Sequence, residues 1–187
     1  MPASIQHLLP IFFCLLLSVA VTNQSRADNV LVAVASNFNA TMQQLIPAFY
    51  EATGHSARVS YGSTGKLFAQ ISHGAPYEVF LSADNVRTQM AIQAGFAVPE
   101  STRIYAIGRL SLWSADEKLI NQTADVLKQS DLRRVALANP KTAPYGTAAM
   151  AVLEKLGLTS SLAPKLVWAE SVAQVFQFVA TGNAEVG

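Results

Sequence analysis

Four times along this chain a short apolar run ends in small polar residues and passes straight into helical periodicity. Val30 to Ala35 runs into Ser36-Asn37, which supply helix-capping chemistry, and Ala57 to Tyr61 into Gly62-Ser63-Thr64-Gly65-Lys66. Val135 to Ala138 runs through Asn139-Pro140 into Ala143-Pro144-Tyr145-Gly146-Thr147, and Lys165 to Trp168 into Glu170-Ser171-Val172. An apolar run without polar alternation is a strand buried on both faces, which belongs to a parallel sheet covered by helices. In such a sheet every strand-to-helix junction lies at the carboxyl end of the strands. A helix start carries unpaired N–H groups and partial positive charge. Glycine beside it lets the backbone approach a bound atom closely. The chain is therefore expected to gather compact arrays of neutral donors, a setting suited to an anion.

The elements between the junctions fit this plan. Phe38, Met42, Leu45, Ile46 and Phe49 recur at helical spacing up to Gly54, with Pro47 inside the helix. Val79-Phe80-Leu81 reads as a third strand, and Asp84 as the cap of a helix over 85–94 that Gly95 closes. The stretch from Arg103 to Trp113 reads as a crossover between two lobes, and 122–129 as a short helix. Val172, Val175, Phe176 and Val179 form the inward face of a last helix, and 184–187 looks like a strand just beginning. The expected architecture is α/β with two lobes: 28–108 for the first and 109–187 for the second. The second is expected to be incomplete, as in a C-terminally truncated chain.

Ahead of the first lobe, Leu8 to Val21 is apolar except for Pro10 and Ser18. That run falls short of the roughly 20 residues that a membrane span needs and matches a signal-peptide core. Ser25-Arg26-Ala27 supplies a cleavage site before Asp28, so 1–27 is expected to be a removed leader and the protein periplasmic. Cys14, the one cysteine, leaves with it. The thirteen Lys and Arg and twelve Asp and Glu become equal once Arg26 is removed. A neutral chain without a basic patch is a poor nucleic-acid binder, so an anion must be held by local geometry.

Alternative chemistries are weaker. Ser63-x-x-Lys66, with Ser82-Ala83-Asp84-Asn85 and Lys141-Thr142-Ala143, loosely matches the serine–lysine motifs of penicillin-interacting enzymes. The second and third motifs are imperfect, and the strand–helix alternation is wrong for that fold. A P-loop is excluded, because Gly62 and Gly65 stand too close and Leu67 follows the lysine. His55 and His73 sit at helix ends without metal-ligand companions, and no paired carboxylates suggest acid–base catalysis. Lys66, Arg103 and Arg109 read as solvated surface cations.

Taken in order, Ala33-Val34-Ala35-Ser36-Asn37-Phe38, Gly62-Ser63-Thr64-Gly65-Lys66-Leu67, Gly74-Ala75-Pro76 followed by Val79 to Asp84, Ala143-Pro144-Tyr145-Gly146 and Glu170-Ser171-Val172 resemble the periplasmic molybdate-binding proteins, the ModA family. The resemblance implies a type II periplasmic binding protein, the solute-binding component of a molybdate ABC transporter. It implies that the two lobes close over molybdate or tungstate, with no enzymatic activity and no cofactor. Residue by residue, it implies ligand contacts from Ser36 and Asn37, from Thr64 with Ser63 beside it, and from the Tyr145 and Val172 N–H groups. The metal atom is not directly ligated. The implied partners are the oxyanion and the membrane permease, with the protein a monomer. Family members continue past the position of Gly187 with elements that complete both lobes. Molybdate is a dianion offering only acceptors, whereas a protonated phosphate needs an acceptor carboxylate. Sulfate or another oxyanion is the alternative ligand.

Overall fold

The structure is a computed structural model that describes residues 28–121 and 123–187. The expected leader over 1–27 lies outside the described residues. Two parallel sheets carry the chain. In the first, strand β1 (Asn29–Ala35) is central, flanked by β2 (Ser56–Gly62) and β3 (Val79–Leu81). The central position explains the unbroken apolar run: Val32 to Ala35 are buried. Each buried valine contributes about 1.5–3 kcal/mol relative to exposure. In the second sheet β4 (Val135–Ala138) pairs with β5 (Leu166–Ala169), and Val186 adds a parallel bridge to Val135. All four residues of β4 are buried.

Helix α1 (Asn39–Thr53) connects β1 to β2 and ends on Gly54 at φ 73°. Helices α2 (Thr64–Ser72) and α3 (Asn85–Gln93) follow β2 and β3. In the second half α4 (Pro144–Lys155), the short α5 (Thr159–Leu162) and α6 (Val172–Ala180) alternate with the strands. Met42 from α1 packs with Val32 and Val34, and Val175 and Val179 from α6 pack with Ala136, Ala138 and Ala169.

Two local expectations are corrected. Ser36-Asn37 does not cap α1: Ser36 to Phe38 form a 3-10 turn, and no side chain caps either the turn or the helix. The polar groups of Ser36 and Asn37 are thus not used on the backbone. The short helix expected over 122–129 reduces to a 3-10 turn, Asp125–Lys128, with Gln122 outside the described residues. Thr123 bonds the Asp125 carboxylate, and Thr123 Oγ1 accepts from the Asp125 N–H. Such local side-chain bonds compete with helix formation.

Among the described residues no helix is long and apolar enough to cross a membrane.

Candidate functional site

The register of the sheets lines up the junctions. Ala35 pairs with Gly62, so Ser36 and Ser63 leave neighbouring strand ends. Ala138 pairs with Ala169, which puts the Asn139 and Glu170 turns side by side in the second sheet. The two sheets then meet through these ends. The Gly65 N–H donates to the Thr142 carbonyl at 2.8 Å, and Lys66 Nζ pairs with Glu170 at 2.6 Å. Arg87 reaches the Lys141 carbonyl at 3.3 Å. The 3-10 turn at Ser36–Phe38 packs against α6, the helix that Val172 begins. The first junction thus meets the fourth, and the second meets both the third and the fourth.

Within this cluster the hydroxyls differ. Thr64 is fully buried and its Oγ1 accepts from the Ala83 N–H at 3.0 Å, bracing α2 against the turn after β3. Its own proton is left to donate. Ser63 is 3% exposed, and its hydroxyl has no hydrogen-bond partner among the described residues. Although Ser63 occupies the N-cap of α2, its side chain makes no capping bond. A buried hydroxyl without a partner costs about 1–3 kcal/mol, so a polar partner at this position is strongly favoured. Thr142 Oγ1, across from the α2 start, is also buried and unpartnered. Thr142 is not among the contacts expected from the sequence. Its placement between the β4 end and Pro144, matching the other junctions, was the available signal.

The backbone donors expected from the second sheet are at helix starts. Tyr145 and Val172 stand in the first turns of α4 and α6, where no carbonyl one turn earlier exists to accept their N–H groups. Ser171 caps α6 by accepting from the Gln174 N–H, so its hydroxyl is engaged. The Gly65 N–H is given to Thr142 across the lobes. Gly65 is required there, since a methyl would stand 2.9 Å from the Thr142 carbonyl oxygen and 3.0 Å from its Cα.

Two cations of the cluster are paired. Lys66 faces Glu170, and Arg87 NH1 faces Asp84 at 2.7 Å. The Lys66 pair is half exposed and contributes about 0–1 kcal/mol. With Lys66 turned to Glu170, Ser63 has no neighbouring base, which removes the geometric support for a serine–lysine enzyme. Burial first, and the nearby Tyr145 second, push the Tyr105 phenol above its ordinary value, so it stays neutral. Among the described residues no cluster of His, Cys, Asp or Glu is placed to hold a metal ion.

A larger cavity of about 880 Å³ runs beside β3, α3 and the crossover. Asn37 and Tyr145 line it, but Ser36, Ser63, Thr64 and Val172 do not. It is lined largely by apolar residues such as Phe80, Phe96 and Ile104, and is far too wide to grip a tetrahedral ion. Tyr145 and Val172 share a smaller apolar cavity beside β4. Ser36, Ser63 and Thr64 line neither cavity, while Asn37, Tyr145 and Val172 stand at their walls.

Comparison with known proteins agrees with this architecture. The chain is 48% identical over 161 residues to the molybdate-binding protein ModA of Rhodobacter capsulatus, covering 86% of this chain and 64% of that protein. It is 47% identical over 163 residues to ModA of Azotobacter vinelandii, covering 87% and 65%. The chain thus spans about two thirds of the length of these curated relatives, somewhat under in both cases. The solved structure of the Azotobacter vinelandii periplasmic molybdate-binding protein superposes with a TM-score of 0.82 at 42% identity, covering 84% of this chain and 69% of that one. The fold is that of the two-lobed α/β type II periplasmic binding proteins. The family description "bacterial extracellular solute-binding protein" matches residues 30–187, and the chain belongs to that family.

Proposed function

We propose that this protein is the solute-binding component of an ABC importer. It binds molybdate or tungstate in the periplasm, between lobes 28–108 and 109–187, and delivers it as a monomer to the membrane permease. It performs no chemistry on the ligand and uses no cofactor. Ser36, Asn37, Ser63 and Thr64 supply contacts from the first lobe, and the Tyr145 and Val172 N–H groups supply them from the second.

The observation that carries this reading is the Ser63 hydroxyl, buried and unpartnered at a helix start that faces the opposite lobe. The names of the two relatives above point to the same ligand. Selectivity against protonated phosphate follows from the charge pairing. Asp84 is engaged by Arg87 through both carboxylate oxygens, and Glu170 faces Lys66, so the carboxylates at the junctions have cationic partners other than a ligand proton. A fully deprotonated dianion needs only donors. Sulfate meets that condition too and is distinguished by size.

Calorimetric titration with molybdate, tungstate, sulfate and phosphate in parallel tests the proposal. Molybdate and tungstate are expected to bind at least about tenfold more tightly than the other two, a difference of about 1.4 kcal/mol. Equal or tighter binding of sulfate would reassign the ligand, and no binding by any of the four would refute the reading.

A further inference from the structure

The crossover between the lobes has no regular secondary structure from residue 102 to 114, and Ile104 and Ile107 within it are 89% exposed. It is nevertheless fixed at both ends. Tyr105 Oη donates to the Ser82 carbonyl at 2.7 Å, and its ring meets Phe38 edge-on at 5.1 Å. These contacts attach the near end to the first lobe. At the far end the Trp113 and Gly187 backbones exchange two hydrogen bonds at 2.9 Å, and the Trp113 ring stacks on Phe176 of α6 at 4.6 Å. These contacts attach it to the second lobe. Within this crossover, a change in the angle between the lobes is taken up between Tyr105 and Trp113.

Gly108 lies within that interval. It is absent from the glycines with positive φ, so its backbone conformation is open to any residue. A methyl there would overlap the Tyr145 hydroxyl and stand 3.2 Å from Cζ of the same ring, so the tip of that side chain must shift to admit it. Tyr145 belongs to the first turn of α4, the turn whose N–H groups are offered to the ligand. We propose that Gly108 is the seat of the Tyr145 hydroxyl. Through this contact, Gly108 and Tyr145 act as a pair of positioning residues that set the lobe angle at which the α4 donors reach the oxyanion. The ligand part of this inference rests on the proposed function; the contact between Gly108 and Tyr145 does not.

The test is a double-mutant cycle with Gly108→Ala, Tyr145→Phe and the double variant, read by molybdate calorimetry and by melting temperature. Gly108→Ala is expected to weaken binding by about tenfold or more, because a methyl there displaces the Tyr145 ring from its place on the crossover. In the Tyr145→Phe background, where the obstructing hydroxyl is gone, the same change is expected to cost less than about threefold. The melting temperature is expected to follow the same pattern, with Gly108→Ala lowering it only when the Tyr145 hydroxyl is present. Additive effects of the two changes on both readouts would overturn the proposal, as would a Gly108→Ala variant that binds and melts like the parent. If the parent binds no molybdate, the proposed function fails, and non-additivity of the melting temperatures alone decides whether Gly108 seats Tyr145.

Discussion

Ser63→Ala is expected to weaken molybdate binding about ten- to a hundredfold, the equivalent of one hydrogen bond to a charged group at about 1.5–3 kcal/mol. The same change is expected to leave the unliganded protein at least as stable as the parent. The Ser63 hydroxyl is 3% exposed and has no partner among the described residues, so removing it removes a buried donor that stabilises nothing. Thr64, the neighbouring contact residue, has a structural bond to lose as well. Thr64 Oγ1 accepts from the Ala83 N–H, and Thr64→Ala leaves that group orphaned at a cost of about 1–3 kcal/mol. In calorimetry and thermal melting, Thr64→Ala is expected to lose both affinity and stability, and Ser63→Ala affinity alone. Ser63→Ala that binds like the parent, or that loses stability as Thr64→Ala does, would move Ser63 out of the site.

Gly146→Ala is expected to be the most damaging single change in the second lobe, lowering stability by about 3 kcal/mol or more. For a chain of this length that corresponds to a fall in melting temperature of about 6–12 °C. A methyl at Gly146 would overlap the Ala138 carbonyl oxygen and stand 2.7 Å from the Ala138 carbonyl carbon and 2.9 Å from the Pro140 nitrogen. All three are backbone atoms, and Ala138 is fixed in β4, so none can swing aside. Gly146 has ordinary φ, so the requirement is purely one of space. Gly157 provides the contrast. Its φ is +69° but nothing lies within 4 Å of a methyl there, so Gly157→Ala meets backbone strain alone, about 1–2 kcal/mol. Melting curves showing Gly146→Ala no worse than Gly157→Ala would contradict the close packing of α4 on β4.

The parts of the fold that depend on local pattern were readable from the residues. The unbroken apolar runs of β1 and β4 give the parallel sheets, and Gly54 ends α1 through its left-handed φ. Asp84 and Ser171 cap the helices they precede. What was not readable depends on partners far away in the chain. Ser63 and Thr64 are adjacent and chemically alike, and only the Ala83 N–H distinguishes them by engaging one. Lys66 looks like a solvated cation until the second lobe brings Glu170 to it. Ser36 and Asn37 have the composition of a helix cap, yet the 3-10 turn takes the helix start past them. Gly108 reads as an unremarkable loop residue because the atom that a side chain there would meet belongs to Tyr145, in a different element.

The central claim is that uncharged donors from both lobes converge on one dianion. A crystal of the protein grown with molybdate, phased on the anomalous signal of molybdenum, tests it in one experiment. The claim predicts a single molybdenum site between the sheets, with its oxygens within about 3 Å of Ser63 Oγ and of the Tyr145 and Val172 nitrogens. A molybdenum atom bound by lysine or arginine side chains, or touched by one lobe only, would contradict it.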